Sequence, residues 1–252
     1  MKKSKKILIA NWKMNPQTID EAKKIIRDIK KGLSSLKKVQ TVICPPFIYL
    51  PLFSSAPSTN LQLGVQNIFY ELSGSYTGEI SANQLYQFKV GFVLVGHSER
   101  RKMGETDEIV NKKAKSAVNE GMTAVICIGE EKHDSQGEYL SVLRDQITLA
   151  LKDISKKFID HVIVAYEPIW AIGAKSSMNS RDIHETSIFI KKVLRDLYGI
   201  SGDGVRILYG GAVGVDNAKS IVGDGFVDGL LVGRESLKAK SFVEIGKQVE
   251  SI

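Results

Sequence analysis

The chain has 252 residues, a length that suits either two small domains or one β/α barrel of ~250 residues. Its composition is 43% apolar, which is ample for a large core, and no apolar run reaches the ~18 residues needed to cross a membrane. The net charge of +7 permits an anionic partner, but the basic N-terminus (Lys2, Lys3, Lys5 and Lys6) carries no nucleic-acid-binding motif and is predicted to be solvated.

The N-terminal stretch has neither a long apolar region nor a small-residue cleavage site, so we expect no secretory signal. Cys44 and Cys127 each follow a run rich in β-branched residues. This pattern predicts two buried thiols rather than a disulfide, and therefore a protein of the reducing cytoplasm. The basic charge equally suits a small phosphorylated substrate attracted to its site.

Eight short apolar runs have the composition of buried strands, and helical patterns separate them. The strands are predicted at residues 6–12, 40–44, 61–66, 91–96, 123–129, 161–167, 206–211 and 228–233. The first helix is predicted over 19–36, with an apolar face made of Ile19, Ala22, Ile25, Ile26, Ile29, Leu33 and Leu36. The alternation predicts an α/β fold, a single parallel (β/α)8 barrel domain over 1–252. An open doubly wound sheet is the alternative, but no GxGxxG follows any strand.

The first strand ends in polar residues. Ile7, Ile9, Asn11 and Lys13 share one face by the period of two. Asn11 and Lys13 lie at the carboxyl end of the strand, where barrel enzymes hold their active sites. Lys13 is either an ordinary solvated lysine or a point charge that binds an anionic substrate.

A loop at residues 68–79 follows the third strand and contains no pattern of its own. Loops of this length are usually functional or part of an interface. Its small and aromatic residues favour a contact with another subunit.

The fourth strand is followed directly by His97. By the period of two, Val93, Val95 and His97 share a face, and the next residues are predicted to form a short helix. The field of a helix N-terminus favours a neutral imidazole, which can donate a hydrogen bond to a carbonyl oxygen. A structural histidine is the alternative.

Charged residues follow His97. Glu99 is predicted to pair with Lys13, whereas Arg100 and Arg101 are predicted to be interface or surface groups.

The sixth strand delivers Glu167 at its carboxyl end, where Pro168 stops the strand. A carboxylate in this place, directly before a loop, is typical of a catalytic base under a mobile lid. A solvated surface glutamate is the alternative. The predicted lid comprises Pro168, Ile169, Trp170, Ala171, Ile172, Gly173, Ala174, Lys175 and Ser176.

Glycine-rich loops follow the seventh and eighth strands, and these two loops commonly bind phosphate in such barrels. The backbone N–H groups predicted to bind it belong to Gly210, Gly211, Ala212, Gly233 and Arg234.

Six motifs, in order, make the chain resemble the triosephosphate isomerases. They are NWKMN (11–15), GSYTGE (74–79), GHSERR (96–101), AYEPIWAIG (165–173), YGGAV (209–213) and LLVGRES (230–236). The resemblance implies interconversion of dihydroxyacetone phosphate and glyceraldehyde 3-phosphate through an enediolate, in glycolysis and gluconeogenesis. It also implies that no metal or other cofactor, membrane or nucleic acid takes part.

The resemblance assigns roles to individual residues. It implies that Glu167 is the base, His97 the electrophile and Lys13 the substrate-binding cation, with Asn11 assisting at the substrate oxygens and Glu99 orienting Lys13. The pairing of a glutamate base with a neutral histidine is the established mechanism of this family. Gly173 of the lid joins the phosphate-binding residues named above.

The resemblance further implies a homodimer. Thr77 would reach Asn11 and Lys13 of a second subunit, and Glu79 would meet Arg100 across the interface.

Three residues depart from the pattern of the family. Lys175 and Arg234 replace common glycines, and Ala212 replaces a serine that contacts the closed lid. Each position keeps a backbone N–H, so we expect phosphate binding with a less stable closed lid. The alternatives are a barrel enzyme for another sugar phosphate and a weakened barrel that serves as a binding or surface protein.

Overall fold

The computed structural model describes residues 5–53, 61–134, 136–172 and 177–252. Lys2 and Lys3 of the basic N-terminus lie outside these residues. So do four positions of the predicted lid: Gly173, Ala174, Lys175 and Ser176.

The described residues alternate between strands and helices. The strands are β1 (Lys6–Asn11), β2 (Val39–Cys44), β3 (Leu61–Val65), β4 (Phe92–Val95), β5 (Thr123–Ile128), β6 (Val162–Tyr166), β7 (Arg206–Tyr209) and β8 (Gly229–Val232). The α-helices are α1 (Ile19–Leu33), α2 (Ala82–Leu85), α3 (Ser98–Lys102), α4 (Asp107–Asn119), α5 (Glu138–Ala150), α6 (Ser180–Tyr198), α7 (Ala218–Gly223) and α8 (Ala239–Glu250).

The eight strands form a closed barrel in chain order, and β8 pairs in parallel with β1. The predicted (β/α)8 barrel is thus confirmed. Side chains fill the interior of the barrel, namely Ile7, Ile9, Val42, Cys44, Phe92, Leu94, Val125, Cys127, Ile163, Ala165, Leu208 and Leu231. Parallel strands bury both faces, so their opposite faces pack against the helices in a second, larger core. That residues 1–252 form one domain stays a prediction.

Helix α1 shows how the apolar pattern is used. The side chain of Thr18 caps its first turn by accepting the N–H of Glu21. The helix ends at Leu33 rather than Leu36, but Leu36 is still buried, because a turn in which its N–H donates to Leu33 directs it inward. Ile19 is exposed, so its predicted burial is wrong.

Lys6 is not part of a solvated arm. It begins β1, and its ammonium group donates to the carbonyl oxygen of Val227 at 2.8 Å. The strand therefore starts earlier in the basic segment than a solvated terminus would allow.

Candidate active site

Chemically active side chains gather at the carboxyl ends of the strands. Asn11, Lys13, His97 and Glu167 line a single cavity of about 830 Å³. Residues 210–217 and 233–235 form much of the remaining wall. The structure therefore brings together the residues that the sequence predicted for catalysis.

His97 reaches the cavity by a different route from the one predicted. Val93 and Val95 face the surrounding helices, whereas Leu94 faces the barrel interior. Strict alternation would direct His97 outward with the two valines, so the predicted shared face is wrong. Gly96 has φ +71°, a conformation that favours glycine, and it turns the chain so that His97 lines the cavity.

The hydrogen bonds of His97 define its tautomer. His97 caps α3, and its Nδ1 accepts the backbone N–H of Glu99 at 3.2 Å. An accepting Nδ1 carries no hydrogen, so the neutral ring holds its hydrogen on Nε2. Nε2 lies 3.4 Å from Oε1 of Glu167. His97 is therefore placed to donate into the cavity.

Lys13 is held by several contacts at once. Its Nζ lies 2.6 Å from Oε1 of Glu99, which confirms the predicted pair. Its backbone N–H donates to Oδ1 of Asn11 at 3.0 Å, and its carbonyl accepts from Gln66 at 2.9 Å. Lys13 has φ +53°, a strained conformation for a residue with a side chain. Strain of this kind persists where surrounding contacts enforce it, as they do here.

Glu167 is 3% exposed, so the alternative of a solvated surface glutamate is wrong. Burial raises the pKa of its carboxyl group, and the nearby charges of His97 and Lys13 offset only part of that effect. Among the described residues, its Oε2 has no hydrogen-bond partner. A side chain on Gly210 would lie 2.7 Å from Cγ of Glu167, so glycine is required there. The carboxylate is thus desolvated and available as a base.

Cys127 lies beside this carboxylate. Cys127 pairs in register with Ala165 of β6. Burial and then the charge of Glu167 raise the pKa of the thiol. Cys44 is also a free, buried cysteine, so the predicted thiols are confirmed.

A second buried carboxylate, Glu105, supports the His97 turn. Its Oε1 accepts the N–H of Gly96 at 3.0 Å, and its Oε2 accepts from Arg100 at 2.7 Å and Lys113 at 2.6 Å. Burial alone would raise the pKa of Glu105, but the bonds from Lys113 and Arg100 outweigh it and lower the pKa. This cluster could not be predicted from the sequence, because its members come from separate helices and loops.

Arg101 is also internal to the chain. Its guanidinium donates to the carbonyl oxygen of Gly96 at 2.7 Å and to Asp107 at 2.5 Å. The prediction of an interface or surface role for Arg101 is wrong, since α3 turns this side chain back toward β4. That Arg100 contacts Glu79 of a second subunit stays a prediction.

The segment Pro168–Ile172, the described part of the predicted lid, is attached to Glu130. The N–H of Ile169 donates to the carbonyl oxygen of Glu130 at 2.9 Å, and the indole N–H of Trp170 donates to Oε1 of Glu130 at 2.9 Å. Beyond the lid, the N–H of Met178 donates to the hydroxyl of Tyr209 at 3.2 Å. Sequence reasoning missed Glu130, although a glutamate directly after β5 was a usable signal.

The loops after β7 and β8 line the same cavity as the base, through Gly210, Gly211, Ala212, Gly233 and Arg234. The N–H of Gly210 donates to the carbonyl oxygen of Tyr166 at 2.8 Å. It continues the ladder between β6 and β7, so its predicted use for phosphate is wrong. Within the described ranges, the N–H groups of Gly211 and Ala212 have no such partner. Ala212 contributes only a methyl group where the family commonly has a hydroxyl.

The loop at 68–79 lies apart from the cavity and contains no helix or strand. Phe69 packs on Tyr70 and Tyr76 with ring centres 4.2 and 4.5 Å apart. Thr77 and Glu79 are exposed. The aromatic rings thus stabilise the loop, while Thr77 and Glu79 remain accessible to another molecule.

Two searches covered only the described residues. No helix there has the length and apolar character required to cross a membrane. No group of three or more His, Cys, Asp or Glu side chains in those same residues is arranged to hold a metal ion.

Comparison with known proteins adds to this geometry. The family model described as triosephosphate isomerase matches residues 6–249. A triosephosphate isomerase of Clostridium botulinum (strain Okra / Type B1) is 40% identical over 243 residues, covering 95% of this chain and 97% of that protein. One from the Langeland strain of the same species is also 40% identical over the same shares. A crystal structure of triosephosphate isomerase from Bartonella henselae matches with a TM-score of 0.86 and 34% identity, over 97% of this chain and 98% of that one.

Proposed function

The chain belongs to the triosephosphate isomerase family, and we propose that it interconverts dihydroxyacetone phosphate and D-glyceraldehyde 3-phosphate through an enediolate, with Glu167 as the base. The observation that carries this proposal is the meeting of three side chains in one cavity. Glu167 is a desolvated carboxylate, His97 presents its Nε2 at 3.4 Å, and Lys13 lines the same wall.

The first step is a proton transfer from carbon. The carboxylate of Glu167 takes the proton from the carbon next to the carbonyl, and the bonding pair moves to form an enediolate. The Nε2–H of His97 and the ammonium of Lys13 donate to the oxygens as negative charge develops there. Asn11 holds the backbone of Lys13 and assists at the same oxygens.

The second step returns the proton. Glu167, now protonated, delivers it to the neighbouring carbon, while the hydrogen moves between the two substrate oxygens with the help of His97. The carbon chain is neither oxidised nor reduced overall, so the protein's own residues supply every group that this step requires. The raised pKa of Glu167 makes it a stronger base than a solvated carboxylate.

The substrate phosphate is assigned to the loops after β7 and β8, which line the same cavity as Glu167. The N–H groups of Gly211, Ala212, Gly233 and Arg234 bind it, together with Lys13. The segment that follows Glu167 closes over it and excludes water, because an exposed enediolate would lose its phosphate by elimination. The contribution of Gly173 and Lys175 to this closure is part of the same proposal.

The second subunit is also proposed. Several large apolar side chains are exposed, including Met14, which is 86% exposed and follows Lys13 in the chain, together with Ile48 and Tyr86. Such side chains mark an interaction surface. A homodimer would cover them and place Thr77 near the partner's Lys13. Sedimentation of a monomer at micromolar concentration would contradict the dimer.

The cellular role follows from the reaction. An interconversion of triose phosphates serves glycolysis and gluconeogenesis, which belong to the cytoplasm. Fractionation of cells that express the chain, with isomerase activity measured in each fraction, tests this location.

The decisive experiment is turnover of glyceraldehyde 3-phosphate by the purified chain and by Glu167→Asp. The shorter side chain keeps the charge but withdraws it from the substrate carbon. We expect kcat to fall by ~10²-fold or more with little change in KM, because the lost interaction exists only in the transition state. Equal kcat in both proteins, or no turnover by the wild type, would contradict the assignment.

A further inference from the structure

Three donors converge on one oxygen of Glu130, a residue that is 1% exposed. The hydroxyl of Tyr166 and the indole of Trp170 each lie 2.9 Å from Oε1, and Nδ1 of His133 lies 3.2 Å from it. Among the described residues, Oε2 has no partner. Because Oε1 serves as an acceptor for the other two groups, Nδ1 of His133 carries the hydrogen and donates it.

The carboxylate is therefore oriented by its donors. Tyr166 is fixed because it belongs to β6 and is buried in the core. His133 approaches from the surface, where its side chain is 26% exposed. These two donors set which oxygen faces Trp170.

Trp170 connects this carboxylate to the catalytic segment. It lies in the short turn Ile169–Ala171, which comes directly after Glu167 and Pro168. The backbone of the same turn is held by the carbonyl of Glu130. Ile172, at the end of the turn, lines the active-site cavity. A change in the orientation of Glu130 thus alters the segment that carries the base.

We propose that His133 is a positioning residue for the reaction: its Nδ1–H orients the carboxylate of Glu130, which anchors Trp170 and so places the segment after Glu167. His133 does not touch the reacting atoms. The kinetic part of this inference rests on the proposed function, whereas the anchoring of Trp170 does not.

A packing role competes with this proposal, because the ring of His133 also contacts the rings of Tyr139 and Trp170, with centres 3.9 and 5.8 Å apart. Two variants separate the roles. His133→Asn keeps an N–H donor close to the position of Nδ1 but removes the ring. His133→Phe keeps a ring of similar size against Tyr139 but removes the donor.

The first readout needs no activity. The chain contains two tryptophans, so protein labelled with 5-fluorotryptophan gives two ¹⁹F resonances, assigned through Trp170→Phe. We expect the Trp170 resonance to shift more in His133→Phe, which loses the donor, than in His133→Asn, which loses only the neighbouring ring. The Trp12 resonance is the internal control for folding in both variants. A Trp170 shift in the Asn variant that equals or exceeds the shift in the Phe variant, or no shift in either, would overturn the anchoring.

The second readout is steady-state turnover of glyceraldehyde 3-phosphate. We expect kcat to fall about fivefold in His133→Phe and to change less than about twofold in His133→Asn. KM should change less than kcat in both variants, since the phosphate contacts of Gly211, Ala212, Gly233 and Arg234 are not touched. Equal kcat in the two variants would overturn the kinetic role even if the resonances move as expected. Absence of turnover in the wild type would instead overturn the proposed function and leave the resonance result standing.

Discussion

Glu105 and Glu167 are both buried carboxylates, 7% and 3% exposed, and both face the Gly96–His97 turn. Glu105 accepts the Gly96 N–H and is paired with Arg100 and Lys113, which lower its pKa. Glu167 faces the Nε2 of His97, leaves one oxygen without a hydrogen bond among the described residues, and has a raised pKa. The same type of side chain is thus fully paired at Glu105 and under-satisfied at Glu167.

The difference separates a structural role, that of Glu105, from the role of a base, proposed for Glu167. A buried carboxylate that is fully paired holds its surroundings rigidly, and its lowered pKa makes it a weak base near neutral pH. One that is desolvated and poorly paired costs stability, and the same deficit makes it a base. Glu105 fixes the turn that directs His97 inward, and Glu167 uses the histidine so placed.

The largest expected effect is the loss of stability that follows from changing Glu105. Glu105→Gln leaves the ammonium of Lys113 buried with a neutral partner, and Lys113 is one of the most buried cations of the described chain. We expect the free energy of unfolding to fall by ~3 kcal/mol, measured by urea denaturation at pH 7. Glu108→Gln on the exposed side of α4 is the matched control, and an equal loss there would contradict the special role of Glu105.

Acid pH should separate the two carboxylates. The pKa of Glu105 is lower in the folded chain than its ordinary value of 4.5, so its contribution to stability is present above that pH and is lost as the pH falls through the lowered pKa. The difference in unfolding free energy between wild type and Glu105→Gln should therefore shrink below pH 4.5.

Glu167 has the opposite shift. Its pKa is raised above 4.5, and the base must be deprotonated to act. As the pH is lowered, kcat/KM should therefore begin to fall before the pH reaches 4.5, while circular dichroism still reports a folded chain. Loss of activity and of folded structure in one shared transition would contradict this separation.

A smaller effect, a gain in stability, is expected when Glu167 is changed. Glu167→Gln removes a charge whose burial is unfavourable at neutral pH, because a raised pKa in the folded state means that the ionised form destabilises the fold there. We expect an inactive protein that is more stable by ~1 kcal/mol. Calorimetry of Glu167→Gln and Glu105→Gln compares the stability of each variant with that of the wild type. Destabilisation by both variants would contradict the proposed difference between the two carboxylates.

The smallest effect is expected at Ala212, in the loop after β7 that lines the cavity. Ala212→Ser restores a hydroxyl that the family commonly places there, and Lys175→Gly restores the glycine of the lid. We expect the double variant to raise kcat by about twofold, consistent with one weak hydrogen bond in the closed state. Unchanged turnover and unchanged affinity for a transition-state analogue would show that these departures are neutral.

The alternation of strands and helices could be predicted from the sequence. Burial on both faces makes parallel strands continuous apolar runs, so all eight strands were found close to their observed bounds. Glu167 was equally readable, because a carboxylate that ends such a run lies at the open end of a barrel. The pair of Lys13 and Glu99 was predicted from the motifs and is present at 2.6 Å.

Other features were not readable along the chain. The period of two assigned His97 to the wrong face, since a single glycine with positive φ resets the direction of the chain. The N–H of Gly210 was assigned to phosphate, although strand pairing had already used it.

By itself, then, the sequence determined the alternation of elements, the closed barrel and the position of the base, because these depend on local apolar patterns and on motifs contiguous in the chain. Tertiary structure alone decided the tautomer of His97, the pairing of Glu105 with Lys113 and the convergence of His133 and Trp170 on Glu130. Hydrogen bonds and desolvation act over about 3 Å in space, and residues far apart in the chain reach that separation only once the barrel has closed.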